Sequence, residues 1–288
     1  MTYDTILFLI SNTGSFIDHR SENLQVVLNY YGTIFSQYIT NKILHLTLAI
    51  MKTVVFLAVC LVTCSMSLYS CRTVYAPNAL NVPLFQEKGE LKATIATNNL
   101  QVATAVTEHI GIMVNGYLNA YTSDDKDFKN NGKGAEIGIG YFGHSANRIT
   151  YETYAGAGLY NVKMKESNKA KTFDSDAVKY FVQPAVGWVT QYFEIAASPR
   201  LSVIKYSAPD ITGYTVQEQA SNYLNIVDQK AHAFLEPTLI VRGGYRFVKL
   251  QAQYGHSFKL SKNDINYDDG VGSIGLIFDI ASWYKTGK

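Results

Sequence analysis

The stretch Phe193-Glu194-Ile195-Ala196-Ala197-Ser198-Pro199-Arg200-Leu201-Ser202-Val203 decides the fold. In an extended chain Phe193, Ile195, Ala197, Leu201 and Val203 share one face, and Glu194, Ser198, Arg200 and Ser202 share the other. Successive side chains of a strand point to opposite sides, so this is a strand with one apolar and one charged face. A helix would scatter both sets around its circumference.

The alternation repeats on both sides of that stretch. Upstream, Ile110, Ile112, Val114 and Leu118 oppose Met113, Asn115, Tyr117 and Asn119. Downstream, Leu235, Pro237, Leu239 and Val241 oppose Glu236, Thr238 and Arg242. The pattern predicts an all-β chain of about ten strands, with eight as the alternative count. They fall over 90–97, 100–106, 110–121, 134–142, 149–163, 177–188, 192–206, 232–242, 247–259 and 271–280. Short links at 107–109, 143–148, 189–191 and 243–246 alternate with long polar ones at 122–133, 164–176, 207–231 and 260–270. An antiparallel up-and-down barrel with short turns at one rim and long loops at the other has this rhythm, which is the habit of transmembrane β-barrels. With ten strands, both chain ends are expected at the short-turn rim.

Alternation alone does not orient the two faces. A soluble calyx turns its apolar face inward, and a membrane barrel turns it outward. The polar face carries Lys92, Lys179, Arg200, Arg242 and Lys249 against Glu136, Glu152, Glu194, Glu236 and Asp279, five of each sign. Gly138, Gly140, Gly156, Gly158, Gly187 and Gly255 share it. Balanced charges beside glycines suit a narrow lumen, where long side chains need both room and partners. Near the short-turn rim the apolar face carries Tyr141, Tyr151, Trp188 and Phe193, the aromatic girdle expected at a membrane interface. The expectation is a transmembrane barrel with an internal charge network. That balance of sign favours a salt-bridged plug over a selective pore.

Composition agrees. The net charge is +2, with no basic footprint for nucleic acid, and Tyr (21) and Gly (21) are frequent, as strands between lipid and a crowded lumen require. The segment before the strands reads differently. Met51-Lys52 opens a short basic region, and the apolar run from Thr53 to Met66 is too short for a comfortable membrane helix. Residues 51–70 thus have the grammar of a signal peptide. Residues 1–50 show no sustained period and are expected to be a mis-set start or an extended leader. Cys60 and Cys64 lie within the leader, which leaves Cys71 as the one cysteine of the mature chain. Residues 71–89, with Pro77, Asn78, Asn81, Pro83 and Gly89, read as a linker, 90–281 as the barrel and 282–288 as a tail.

The run Leu68-Tyr69-Ser70-Cys71 is similar to a lipobox. Together with Tyr75-Ala76-Pro77-Asn78, Asn81-Val82-Pro83-Leu84-Phe85, Glu90-Leu91-Lys92 and the turn Val106 to Met113, it resembles the outer-membrane β-barrel lipoproteins of Bacteroidota. The resemblance implies a barrel in the bacterial outer membrane and acylation of Cys71, and it brings no catalytic residues. No acidic cluster follows Cys71. In such bacteria that absence implies an anchor in the inner leaflet, on the periplasmic side, where the short-turn rim also lies. One departure is the end of the chain, where Lys285 to Lys288 follow the aromatic pair Trp283-Tyr284.

Three chemical motifs invite stronger readings. Gly138-Ile139-Gly140-Tyr141-Phe142-Gly143 matches a dinucleotide fingerprint, but that motif needs a strand passing into a helix, and here another strand follows. His109, His144, His232 and His256 have no metal-ligand spacing, so no metal or other cofactor is expected. A serine–histidine dyad is disfavoured because His256 falls on the apolar face, whereas Ser257 and Ser273 fall on the polar one. The expectation is therefore a non-enzymatic barrel in contact with outer-membrane lipid, acting in envelope structure. Surface or lipopolysaccharide contacts would run through its loops, and the sequence sets no oligomeric state. A narrow channel and a lipid-tethered calyx for an apolar ligand are the alternatives.

Overall fold

In a computed structural model the described residues are 73–122, 128–145, 148–166, 170–245 and 247–280. The expected leader, Cys71 and the tail 282–288 lie outside them. Among the described residues, twelve strands follow one another as β1 Leu91–Ala96, β2 Asn99–Ala105, β3 Ile110–Thr122, β4 Phe128–His144, β5 Ile149–Glu166, β6 Lys171–Val189, β7 Phe193–Tyr206, β8 Asp210–Thr212, β9 His232–Tyr245, β10 Val248–His256, β11 Phe258–Lys259 and β12 Gly270–Asp279. A single short helix, α1 Val216–Ser221, lies between β8 and β9.

Each long strand pairs antiparallel with its neighbour, and β1 pairs with β12 in the register Lys92↔Asp279 to Ala96↔Gly275. That seam closes a ten-stranded barrel. The remaining two strands are rim pieces, β8 on β6 and β11 on β9. Closure removes the unpaired edges that an open sheet would expose.

The alternation read from sequence sorts the two faces. On β7 every second residue from Glu194 to Tyr206 is buried, and those between are exposed from Ile195 to Lys205. The apolar set points out: Leu159 is 69 % exposed and Leu118 66 %. The charged set points in, with Arg200 and Lys179 both at 0 %. The calyx arrangement, with the apolar face inward, is not the one that forms. The outward apolar run of β7, Phe193 to Val203, matches the roughly 9–11 residues a tilted strand needs to cross hydrocarbon.

Above that band the polarity inverts. On β6 the outward residues change from Tyr180 and Val178 to Asp176 and Asp174, while the inward ones change from Lys179 to Ala177 and Phe173. This corrects two of the expected long loops. The described residues of 122–133 and 164–176 are mostly strand, because the period of two continues with Phe128, Val162, Met164 and Phe173 turned inward and Lys129, Lys133, Lys163 and Lys165 turned outward. At 18 and 19 residues, β5 and β6 are far longer than the roughly 9–11 residues a tilted strand needs to cross hydrocarbon, and they extend past the apolar band at the loop rim.

A second correction concerns residues 73–89, which do not form an external linker. They thread the lumen from one rim to the other. At the loop rim Tyr75 bridges to Tyr267, and Val74 N–H donates to the Asn266 carbonyl (2.9 Å). Leu80, Val82, Leu84 and Phe85 follow, each at most 1 % exposed. The segment leaves at the turn rim, where Gly89 takes φ +82°, a conformation glycine adopts without penalty, and enters β1. The amino end of the described chain therefore stands at the loop rim, opposite the end of β12. The expectation that both ends share the turn rim fails because of this crossing.

Candidate functional site

The site is the filled lumen, and the barrel wall positions all of it. Inward positions of β4, β6, β7 and β9 bring Glu136, Lys179, Arg200 and Glu236 to one level. Arg200 presents its fork to Glu136, with Nη1 donating to Oε1 (2.9 Å) and Nη2 to Oε2 (3.2 Å). Its Nε and Nη2 also donate to Gln183 Oε1 (3.1 and 2.9 Å), and its guanidinium lies 4.5 Å from the Phe181 ring centre. Lys179 Nζ sits 3.5 Å from Glu236 Oε2 and donates to the hydroxyl of Tyr75 (2.9 Å). The hydroxyls of Tyr160 and Tyr75 donate to Glu136 and Glu236 respectively. Buried charges are tolerable only when paired and hydrogen-bonded in this way.

A second level lies nearer the turn rim. Arg242 Nη1 donates to Glu194 Oε2 (2.8 Å), and Lys249 pairs with the other oxygen of Glu194. Lys92 pairs with Glu90 (3.0 Å), and Asp279 ends β12 opposite Lys92 in the barrel seam. Glu152 has no ion pair among the described residues; its Oε2 accepts from the backbone N–H of Leu84 (2.9 Å). The ten charges read from the sequence all point inward, and the structure groups most of them into these two levels. The expected girdle residues Tyr141, Tyr151, Trp188 and Phe193 face outward near the turn rim, where Tyr192 and Tyr245 join them as a stacked pair (5.7 Å).

What the charges enclose is the threaded segment. Asn78 donates to Glu136 (3.1 Å) and accepts from Lys179 (3.1 Å). Gln183 Nε2 donates to the Asn81 carbonyl (2.7 Å), and Arg242 Nη2 to the Val82 carbonyl (2.6 Å). Gln253 accepts from Leu80 N–H (3.0 Å) and donates back to its carbonyl (3.3 Å). Leu84 stands in the left-handed region (φ 54°), which costs a non-glycine residue roughly 1–2 kcal/mol. The N–H bond to Glu152 and a bond from Lys92 Nζ to the Leu84 carbonyl (3.0 Å) hold it there. At Gly187 a Cβ would come within 2.7 Å of the Leu84 side chain, so the wall gives way where the segment turns.

Sequence reasoning missed Gln101, Gln183, Gln251 and Gln253, all buried on the polar face. Their signal was available. Uncharged amides at inward positions offer both a donor and an acceptor, which a neighbouring backbone can use. At the loop rim the mouth is closed as well. Tyr214, Leu224, Val227 and Ile265 from the two long loops pack with Tyr75, Tyr206 and Phe234. The dinucleotide-like glycines lie within β4, with no helix following.

No protein-family model matches the sequence, and no curated protein does either. Among solved structures, the barrel is similar to the translocator domain of the autotransporter NalP from Neisseria meningitidis, at 10 % identity over 66 % of this chain and 86 % of that one, with a TM-score of 0.41. It is similar to CarO from Acinetobacter baumannii at 9 % identity over 67 % and 97 % (TM-score 0.32). It is also similar to the outer membrane protein OmpT of Vibrio cholerae, in a form lacking loop L8, at 14 % identity over 62 % and 52 % (TM-score 0.25). The likeness is one of fold.

Proposed function

We propose that this chain is a bacterial outer-membrane barrel closed by its own amino-terminal segment. Its role is in envelope structure or surface contact and is not catalytic. One observation carries the reading: residues 73–85 occupy the lumen and hydrogen-bond to most of the wall. A solute pathway would need water along the axis, and here side chains and backbone take its place. The inside-out surface supports membrane insertion, because an apolar band facing water would be far larger than the patches soluble proteins expose.

The reading extends to the anchor. With short turns on the periplasmic side, Thr73 stands on the outer side of the membrane, and Cys71 is two residues, at most about 7 Å of chain, upstream of it. Acyl chains on Cys71 would then enter the outer leaflet and not the inner one. Purified full-length protein in planar bilayers tests the closed lumen. Silence is expected from the wild type, and stepwise current from a chain lacking 73–85. Discrete, reproducible steps from the intact protein would restore the channel. Release from membranes without detergent would overturn the membrane reading.

A further inference from the structure

The outer wall of the barrel carries a second feature, independent of the lumen. Where β2 to β6 pass the polarity inversion, a shallow, open hollow of about 710 Å³ lies on the outer wall. Leu100, Leu118, Leu159 and Val178 supply its apolar lining. Gly116, pointing outward from β3, leaves it without a side chain at its centre, since a Cβ there would meet nothing nearer than 4.0 Å. Lys133 stands at its upper edge.

Above Lys133 the outward face is basic. Lys129 on β4 lies directly across from Lys165 on β5, and Lys163 lies across from Asn131. Of the acidic residues nearby, Asp174 pairs with Lys163 (2.7 Å), and Asp176, itself in the lining of the hollow, accepts from the side-chain amide of Asn161 (2.9 Å); four outward lysines against these two carboxylates leave the face net basic. Lys129, Lys133 and Lys165 are exposed and form no ion pair among the described residues. Like charges directly across a strand pair are unfavourable. A polyanion between them reverses the sign.

We infer that this hollow binds a phosphorylated, acylated glycolipid of the loop-side leaflet. An acyl chain lies along Leu100, Leu118 and Leu159, and the phosphates meet Lys133, Lys129 and Lys165. The lysines span four residues of β4, about 13 Å, rising from the edge of the apolar band through the headgroup layer. A second copy of this chain fits poorly, because it would set the same lysines against themselves. The inference rests on the membrane reading above, and it places lipid contact on the wall, where the sequence had placed it in the loops.

The test uses the full chain in detergent micelles, with native mass spectrometry as readout. The probes are bisphosphorylated lipid A and the same lipid after enzymatic dephosphorylation. Tighter binding of the phosphorylated form is expected. Lys129→Gln/Lys133→Gln/Lys165→Gln should weaken it roughly tenfold or more, whereas Lys262→Gln, on an exposed loop, should not. Equal binding of both lipids overturns the inference. So does unchanged binding by the triple variant. Protein that washes off membranes without detergent instead refutes the membrane reading itself, so the two failures are separable.

Discussion

At the scale of single residues, Arg200 ties the upper charge level together. It binds both oxygens of Glu136 and the amide oxygen of Gln183 while stacking on Phe181. Arg200→Ala leaves Glu136 buried beside Lys179 alone, and breaking such a pair costs about 3–5 kcal/mol. The expected outcome is a large drop in the urea midpoint of the protein in micelles. Arg200→Lys restores only part of it, since an ammonium has no fork, and Arg200→Met with Glu136→Gln is milder than Arg200→Ala. Glu218 makes a different prediction, at the loop rim. The hydrogen bond from Lys171, followed by that from the Thr215 backbone, holds its carboxyl at about 2 against an ordinary 4.5. A lowered pKa stabilises the folded loop above 4.5, and this contribution is lost as pH falls from 4.5 towards 2. Amide protection at the α1 cap, measured against the intrinsic exchange rate at each pH, should therefore fall over that window, and in Glu218→Gln that fall should vanish.

At the scale of elements, the strands were legible and the threaded segment was not. Period-two alternation survives any registry, so the order of residues alone assigns Glu194, Arg200, Glu236 and Arg242 to one face. Residues 77–83 carry two prolines and two asparagines, and that composition signals a turn or a linker. Beyond the Tyr75–Tyr267 bridge, the backbone of residues 80–84 bonds to wall side chains such as Gln183 and Gln253, far away in sequence. The projecting ends of β5 and β6 were missed for another reason. Above the apolar band the faces exchange polarity, so a rule tuned to apolar-out strands ends β5 at Lys163 and begins β6 only at Ala177. The segment's fit is testable. Phe85, fully buried among Phe142, Tyr154 and Phe181, closes the turn-rim end. Phe85→Ala, or Gly187→Leu directed at Leu84, should leave the barrel closed but loosen the segment. The sign would be flickering current in bilayers where the wild type is silent.

At the scale of the whole molecule, the barrel and its threaded segment form one body with two distinct rims. A short epitope inserted just ahead of Thr73 should be reached by antibody on intact cells, and one placed in the β6–β7 turn at 190–192 only after permeabilisation. Labelling with the opposite pattern would reverse the proposed orientation. The ten-strand closure, the outward apolar band and the inward charges were all readable from the sequence. The position of the amino end was not, because one crossing of the lumen inverts it without changing any strand. That crossing has a further consequence. The segment is fused to β1 at one rim, and in the proposed anchor the acyl chains on Cys71 hold it at the other. The seam that encircles it, Lys92↔Asp279, joins the first strand to the last. A ring shut around an axle with bulk at both ends cannot be threaded afterwards. With that anchor, the segment would have to lie in place before β12 meets β1, and the strands would wrap around it as around a mandrel. Once the seam shut, a segment so anchored would be held mechanically, whatever became of its hydrogen bonds to the wall.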